Sequence, residues 1–168
     1  MVTNEHRRMY PDGIDRVGAL IDTLATTEDR LWPHETWPPM RLDGPLGPGA
    51  RGGHGPIRYR VVDHQPSRTV RFRFDKPRGF RGYHTFVVEA HADDPRNTVL
   101  RHTLSMRTTG LARLTWPLVY RPLHDALIED SLDRAGRALG AAPERPARWS
   151  RYVRLLRWLL TRRRSRGS

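Results

Sequence analysis

The stretch 111-LARLTWPLVYRPLHDALIEDSLDRAGRAL-139 decides the fold of this chain, and its part from Pro122 on has the pattern of a helix. Its apolar and small positions recur at steps of three and four residues, the period of an α-helix that packs one face on a core. That face comprises Tyr120, His124, Leu127, Ile128, Ser131, Ala135 and Ala138. Its small residues would let the helix lie close to a neighbouring surface, whereas His124 requires a polar partner or a wet cavity. The pattern therefore predicts a long packed helix with any ligand cavity beside its N-terminal half.

The residues around this helix define where it begins and which side is solvated. Pro117 and Pro122 predict an interrupted segment up to about Tyr120, followed by a helix with Pro122 in its first turn. The charged residues predict a solvated side; they are Arg121, Asp125, Glu129, Asp133 and Arg137. Its carboxylates are expected to pair with neighbouring arginines (Arg121, Arg134 or Arg137) and not to be catalytic. Because adjacent helical residues diverge, His124 and Asp125 are not expected to form a dyad.

Between residues 56 and 107 the period of the pattern changes to two, which is typical of β-strands. Short turns divide this region into four strands, so we expect an antiparallel meander. One face is apolar and the other is rich in arginine, as in a half-solvated sheet. His84 shares its face with Phe86, and His102 shares its face with Leu104. Both histidines are therefore predicted on the apolar face.

The first third of the chain predicts a strand around His6–Tyr10 and a helix over roughly Ile14–Thr26. Trp32 and Trp37 follow among three prolines and predict a rigid aromatic loop, which either lines a cavity mouth or fills one end of the core. Residues 43–56 are rich in glycine and proline. They lack the Lys-Ser/Thr of a phosphate loop and no helix follows them, so a curved hairpin is the better interpretation.

Composition limits the classes of protein to which this chain could belong. Its 168 residues suit one α+β domain, predicted over 1–142, with a linker and tail over 143–168. Net charge is +12, but residues 144–168 carry +8 of it, so the charge does not mark the domain as a nucleic-acid binder. Without cysteine, disulfides and thiolate metal sites are excluded. No signal segment or bilayer-spanning run is visible, so we expect a cytoplasmic protein, with peripheral attachment at the inner face of the cell membrane as an option.

The tail predicts a basic amphipathic helix. Its apolar face contains Trp149, Tyr152, Val153, Leu156, Leu159 and Leu160. Aromatic and leucine side chains bordered by arginines favour an anionic membrane surface. The predicted membrane contacts are Trp149, Tyr152, Arg154, Trp158, Arg162, Arg163 and Arg164. A nucleic-acid or acidic-protein contact is less favoured because the helix is more apolar than an electrostatic arm needs, and packing on its own domain is a third interpretation.

The order of these elements resembles the START-like superfamily, also called the SRPBCC or polyketide cyclase/dehydrase and lipid-transport group. The resemblance covers roughly residues 5–140 and rests on Val17–Leu24, Trp32–Trp37, 55-GPIRYRV-61, 82-GYHTF-86, 100-LRH-102 and 121-RPLHDALIED-130. It implies an α+β helix-grip fold, in which a curved antiparallel sheet wraps around a long C-terminal helix and leaves a cavity between them. Because the superfamily includes transporters, cyclases and ligand sensors, the resemblance implies the fold more strongly than one function.

In such a fold, His84, His102 and His124 would converge on the cavity as polar anchors or as an acid–base group. The expected ligand contacts are Trp32, Trp37, Tyr59, Phe72, His84, Phe86, His102, Leu104, Trp116, Tyr120, His124, Leu127 and Ile128. Buried histidines bonded to one another are the structural alternative, and a three-histidine zinc site lacks a supporting spacing.

We expect a protein that binds, transports or senses a hydrophobic small molecule such as a lipid or polyketide, without a metal or cofactor. A polyketide aromatase/cyclase-like enzyme is the alternative, and an interaction module with a filled cavity is a third hypothesis. The sequence leaves the identity of the ligand, any turnover and the oligomeric state open.

Overall fold

Seven antiparallel strands form one sheet in the computed structural model, which describes residues 1–94 and 96–165. Their order across the sheet is β1-β7-β6-β5-β4-β3-β2. The strands are β1 Val2–Tyr10, β2 Arg41–Leu42, β3 Arg51–His54, β4 Ile57–Gln65, β5 Thr69–Lys76, β6 Phe80–Ala90 and β7 Thr98–Thr108. The helices are α1 Ile14–Asp22, α2 Ala112–Thr115, α3 Arg121–Ala138 and α4 Arg151–Ser165, and a π-helical turn over Trp116–Tyr120 links α2 to α3.

The predicted meander is present as β4 to β7, in which each strand pairs with the next. Side chains alternate between the buried and the exposed face of the sheet. In β5, for example, Val70, Phe72 and Phe74 are buried and the arginines between them are exposed. A four-stranded sheet was an incomplete prediction, because β1 pairs along its whole length with β7, and β3 and β2 extend the sheet beyond β4. The pairing of β1 with β7 joins residues about a hundred positions apart, and such pairing is not visible in a local pattern.

The sheet curves, and two features of its pairing permit this. Register shifts between β4 and β5, at Arg58/Tyr59 and at Val61/Asp63, are irregularities of the kind that bend strands. In β6, Gly82 lies so close to β7 that a Cβ added there would be 2.2 Å from the carbonyl oxygen of Ser105. The apolar face of the sheet therefore becomes a concave surface for a helix.

The long C-terminal helix α3 is confirmed, and it lies across this surface. Leu132 and Ala135 are fully buried. The Tyr10 hydroxyl of β1 donates to the carbonyl oxygen of Leu132 at 2.6 Å, and the Ser131 hydroxyl donates to that of Leu31 at 2.9 Å. The small residues of the helix thus allow close packing at its C-terminal half, as the spacing indicates.

The segment before α3 differs from the sequence prediction. Pro117 and Pro122 suggest an interruption, but the chain is helical from Ala112 onward. The irregularity is the π-helical turn, in which the Arg121 N–H donates to the Trp116 carbonyl. Pro122 lacks the N–H that would bond the Leu118 carbonyl in an α-helix. The Tyr152 hydroxyl of α4 donates to that carbonyl instead, at 2.6 Å.

Two other local predictions were wrong. Helix α1 ends at Asp22 and not near Thr26, because Ala25 has a positive φ of 63° that a helix cannot contain. Asp133 is buried and not solvated, since it forms an ion pair with Arg8 of β1 and accepts the Ala147 backbone N–H at 2.7 Å.

Candidate functional site

A cavity of about 690 Å³ lies between α3 and the sheet. Most of the residues expected to contact a ligand line it: Trp32, Trp37, His84, His102, Leu104, Trp116, Tyr120, His124, Leu127 and Ile128. Tyr59, Phe72 and Phe86 do not; they are fully buried and pack behind its wall. Phe72, for example, stacks on the His84 ring with 4.7 Å between centroids.

Four histidines lie along the cavity wall, since His54 of β3 joins the three predicted from the sequence. His84 Nδ1 and His102 Nε2 are 3.4 Å apart, and the His102 and His124 ring centroids are 5.1 Å apart. At the other end, His54 Nδ1 lies 3.2 Å from the Tyr59 hydroxyl. Strand alternation positions His84 and His102, and the first turns of α3 position His124. A row of imidazoles therefore crosses an otherwise apolar surface.

Several nitrogens in this row are buried and unpaired. Among the described residues, His84 Nε2, His102 Nδ1 and both ring nitrogens of His124 make no hydrogen bond. Buried polar groups in proteins are nearly always hydrogen-bonded, and one left unpaired costs stability. These nitrogens have almost no accessible surface, so a polar ligand atom would satisfy them only after a small shift of the surrounding side chains.

Burial keeps the row uncharged. It lowers the pKa of His54 to about 3, and it lowers the pKa values of His84 and His102 well below 6.5, with a further contribution from neighbouring histidines. Burial likewise raises the pKa of the Tyr59 hydroxyl. At neutral pH each imidazole is a neutral donor and acceptor, so the cavity suits an uncharged ligand with a polar edge.

Comparison with solved structures identifies the architecture. No protein-family model and no curated protein matches the chain. A protein from Thermobifida fusca superposes with a TM-score of 0.63 at 17% identity, over 89% of this chain and 100% of that one. CalU16 from Micromonospora echinospora superposes with a TM-score of 0.58 at 14% identity, over 94% of this chain and 83% of that one. Ara h 8.0201 superposes with a TM-score of 0.55 at 13% identity, over 83% of this chain and 98% of that one. The chain has the helix-grip fold. At these identities the likeness concerns the fold alone.

Helix α4 of this helix-grip protein packs at the mouth of the cavity, where Arg157 and Leu160 form part of the lining. Asp130 of α3 accepts the indole N–H of Trp37 at 2.7 Å and that of Trp149 at 2.8 Å. The Arg157 guanidinium lies 4.2 Å from the Trp37 ring and 4.1 Å from the Trp149 ring. A cation between two aromatic rings thus attaches α4 to the tryptophan loop.

The other side of α4 is exposed and apolar. Tyr152, Leu155, Trp158 and Leu159 are each between 45% and 50% exposed, and Leu160, at the edge of the cavity lining, is 42% exposed. The Arg162 guanidinium lies over the Trp158 ring at 3.9 Å. Arg154 is exposed as well, whereas the side chains of Arg163 and Arg164 lie outside the described part of the chain. None of the described helices is both long enough and apolar enough to cross a membrane.

A second exposed apolar group lies beside the first. Leu111, Leu114 and Leu118 are 74%, 62% and 58% exposed. Their spacing of three and four residues places them on one side of the helical segment that leads into α3. The hydrogen bond from Tyr152 to the Leu118 carbonyl joins this segment to α4. Together with the exposed residues of α4 they form what we call the mouth patch: Leu111, Leu114, Leu118, Tyr152, Leu155, Trp158, Leu159 and Leu160.

Strand β1 contributes polar residues that sequence patterns did not single out. His6 Nδ1 is 2.7 Å from Glu129 Oε1, and His6 Nε2 is 3.2 Å from Asp125 Oδ1. The two carboxylates raise the pKa of His6 to about 9, Asp125 contributing most. Arg8 donates to Glu129 at 2.7 Å. Contrary to the prediction, the carboxylates of α3 pair mainly with β1, although Arg121 Nε does lie 3.8 Å from Asp125.

Two site residues were missed for different reasons. His54 lies in a glycine-rich segment without a clear strand period, so its side could not be assigned. His6 lies in a strand whose alternation was visible only near its end, and its partners lie more than a hundred residues away. An alternation count over residues 2–10 would have placed His6 on the same side as Asn4 and Arg8.

Proposed function

We propose that this protein binds a hydrophobic small molecule, of the lipid or polyketide class, that carries at least one hydroxyl or keto oxygen. The observation that carries the proposal is an apolar cavity of about 690 Å³ whose wall holds unpaired histidine nitrogens. Small-molecule sites combine this range of volume with apolar walls and a few polar groups. The cavity is not filled by Phe72, Phe86 or Trp116, which argues against an interaction module with a closed cavity.

The tautomers of His84 and His102 specify the polar edge further. If His102 Nε2–H donates to His84 Nδ1, His84 Nε2–H remains an unused donor and His102 Nδ1 an unused acceptor. If His84 Nδ1–H instead donates to His102 Nε2, His84 Nε2 is the unused acceptor and His102 Nδ1–H is the unused donor. In either state the pair offers one donor and one acceptor. A hydroxyl group both donates and accepts, so it satisfies the pair in either state.

A pair of probes tests this. 1-Naphthol and 1-methylnaphthalene have similar shapes, but only naphthol carries a hydroxyl, and cavity tryptophans such as Trp32 and Trp116 report binding by fluorescence quenching. We expect the wild-type protein to prefer naphthol by about fivefold or more, since a buried hydrogen bond is worth roughly 1 kcal/mol. Replacing His84 and His102 together by leucine should remove most of the preference while leaving methylnaphthalene binding intact.

The control for this experiment closes the cavity. Leu123 is a partly buried lining residue, and Leu123→Trp should reduce binding of both probes because it occupies the space. Equal binding of the two probes to the wild type would refute the polar edge. Binding of neither probe, together with no reproducible bound mass in native mass spectrometry of protein from its own host, would refute ligand binding.

Acid–base catalysis by an aromatase/cyclase-like enzyme is the second candidate. It is favoured by one contact, the 3.2 Å approach of His54 to the Tyr59 hydroxyl, because a base beside a hydroxyl is a common catalytic arrangement. Binding without turnover accounts better for the electrostatics. A general base works best with a pKa near the working pH, whereas that of His54 is lowered to about 3. Turnover of a bound host ligand, and its loss in His54→Gln, would favour the enzyme.

The mouth patch supports a membrane as the place where the ligand is collected, at the inner face of the cell membrane. Its exposed leucines and aromatics lie beside the cavity mouth, and the tail that supplies α4 carries a net charge of +8. Apolar side chains at the depth of the lipid headgroups, with arginines nearby, match an anionic bilayer surface. A nucleic acid would leave the leucines without an apolar partner.

Vesicle co-sedimentation tests the membrane proposal. The full chain should pellet with phosphatidylcholine vesicles containing phosphatidylserine and far less with phosphatidylcholine alone. Replacing Leu111, Leu114 and Leu118 by serine should lower the partition coefficient about tenfold or more, because three exposed leucines lose their transfer energy. Met9→Ser, at another exposed apolar residue, is the matched control. Equal pelleting of the leucine variant and the control would refute a role for the mouth patch.

A further inference from the structure

One cluster beside the cavity shares His124 with the cavity wall and adds two residues, His6 and Asp125, that the proposed ligand binding does not use. His6, His124 and Asp125 each offer one ligand atom, and these three atoms lie within 4.8 Å of one another. His6 Nε2 is 3.2 Å from Asp125 Oδ1, and His124 Nδ1 is 3.7 Å from the same oxygen. The second distance is too long for a hydrogen bond, so His124 faces a carboxylate without bonding to it.

We propose that His6, His124 and Asp125 form a binding site for a divalent transition metal, with Zn²⁺ as the ion that its donor set suits best. Two imidazoles and one carboxylate are a usual set of three protein ligands for zinc. Ligand atoms at about 2.0–2.1 Å from a tetrahedral ion lie roughly 3.3 Å from one another. The separations of 3.2 and 3.7 Å about Asp125 Oδ1 are close to this value.

The surroundings of the three residues have the form of an outer ligand shell. A histidine that binds a metal usually gives its second ring nitrogen to a carboxylate, and here Glu129 Oε1 lies 2.7 Å from His6 Nδ1. Arg8 in turn fixes Glu129 with a hydrogen bond of 2.7 Å. The amide of Asn4 donates to Asp125 Oδ1 at 2.9 Å. Hence the orientations of His6 and Asp125 are set before any ion binds.

His124 supplies the observation that a purely structural ion-pair network does not explain. Both of its ring nitrogens are buried without a hydrogen-bond partner among the described residues. A network built only to hold β1 against α3 would need His6, Arg8 and the carboxylates, which already satisfy one another. A metal ion would bond to one nitrogen of His124 and so remove part of this cost.

The proton balance of binding follows from the pairing of His6. Zn²⁺ binds the unprotonated Nε2 of His6, so a proton on this nitrogen is released to solvent when the ion binds. The three ligands leave a fourth tetrahedral position for water or an added oxygen ligand. Because His124 also lines the cavity, the site adjoins the space in which we place the hydrophobic ligand, but metal binding does not depend on that ligand.

Calorimetric titration of the chelator-treated full chain with ZnCl₂ tests the proposal. We expect one equivalent to bind, and the same protein to acquire visible absorption bands when titrated with Co²⁺. His124→Gln and Asp125→Asn should each weaken Zn²⁺ binding about a hundredfold or more, and Glu129→Gln about tenfold, as outer-shell changes do. His84→Gln is the matched control, since it alters a cavity histidine outside the three ligands and should bind Zn²⁺ like the wild type.

Circular dichroism must show that each variant is folded, and Asn4→Ala offers a further outer-shell change away from the three ligands. The proposal is overturned if the wild type binds no zinc, or if His84→Gln weakens binding as much as His124→Gln does. A chain that binds no zinc yet still distinguishes 1-naphthol from 1-methylnaphthalene would overturn the metal site while leaving the proposed ligand cavity intact.

Discussion

The substitution His84→Leu should make this protein less sensitive to acid. His84 is buried, and burial lowers its pKa well below the ordinary value of 6.5. A histidine whose folded pKa is lowered contributes stability that is lost as pH falls below 6.5, because the unfolded chain takes up a proton that the folded chain does not. If His84 stays neutral in the folded chain at pH 5.0, its cost relative to pH 7.5 is about 2 kcal/mol, from RT ln(1 + 10^1.5) with the ordinary pKa of 6.5 in the unfolded chain.

At pH 7.5 the same substitution has opposing effects. It removes a buried nitrogen that has no partner, and it removes the 3.4 Å contact with His102. Each effect is worth roughly 1 kcal/mol, so the free energy of unfolding at pH 7.5 should stay within about 1 kcal/mol of the wild type. On lowering the pH from 7.5 to 5.0, the free energy of unfolding of the variant should therefore rise by about 2 kcal/mol relative to that of the wild type.

Urea unfolding followed by tryptophan fluorescence, at pH 7.5 and 5.0, measures both values. Phe72→Leu is the matched control: Phe72 is buried against His84 but does not titrate, so its replacement should cost roughly 1–2 kcal/mol equally at both pH values. The reasoning fails if His84→Leu and the wild type differ by the same amount at both pH values, since His84 would then not be held neutral by burial.

Three other outcomes are expected. His124→Leu should lower retention of a co-purified ligand in native mass spectrometry with unchanged circular dichroism; unchanged retention would place the ligand elsewhere. Gly82→Ala should lower the free energy of unfolding, measured in urea, by about 3 kcal/mol or more, because the added Cβ would lie 2.2 Å from the Ser105 carbonyl oxygen. Gly13→Ala is the control and should be tolerated, since no atom lies within 4 Å of the added Cβ. Tyr152→Phe removes the hydrogen bond to the Leu118 carbonyl, so trypsin should cleave the arginine-rich helix α4 about fivefold faster in the variant than in the wild type. Equal cleavage rates in the two proteins would show that this hydrogen bond does not hold α4 in place.

In the proposed ligand cavity, stability and ligand binding make opposite demands on the histidines. Polar groups that wait for a ligand are unpaired without it, so they cost stability that an apolar side chain would not. His102 is the clearest example, since it is almost completely buried and has an unpaired nitrogen. Stabilising substitutions at such positions are therefore expected to weaken ligand binding.

The sequence by itself determined the elements whose pattern is local. The helical period of residues 121–139 predicted α3, and strict alternation in residues 56–107 predicted β4 to β7 and the apolar side for His84 and His102. Short polar turns between strands made antiparallel pairing of neighbours the natural topology. These features follow from the chain's own stereochemistry, since side-chain directions repeat every 3.6 residues in a helix and every two in a strand.

Only the tertiary structure decided what each side chain meets. No spacing indicates that β1 pairs with β7, and it is this pairing that brings His6 and Arg8 to the carboxylates of α3. The buried state of Asp133 depends on an arginine 125 residues away. The two parts of the mouth patch are likewise joined by a hydrogen bond from Tyr152 to the Leu118 carbonyl of a helical segment that lies 34 residues earlier in the chain. Contacts of this kind depend on how the sheet curves and closes on the helix, and a periodic pattern carries no information about them.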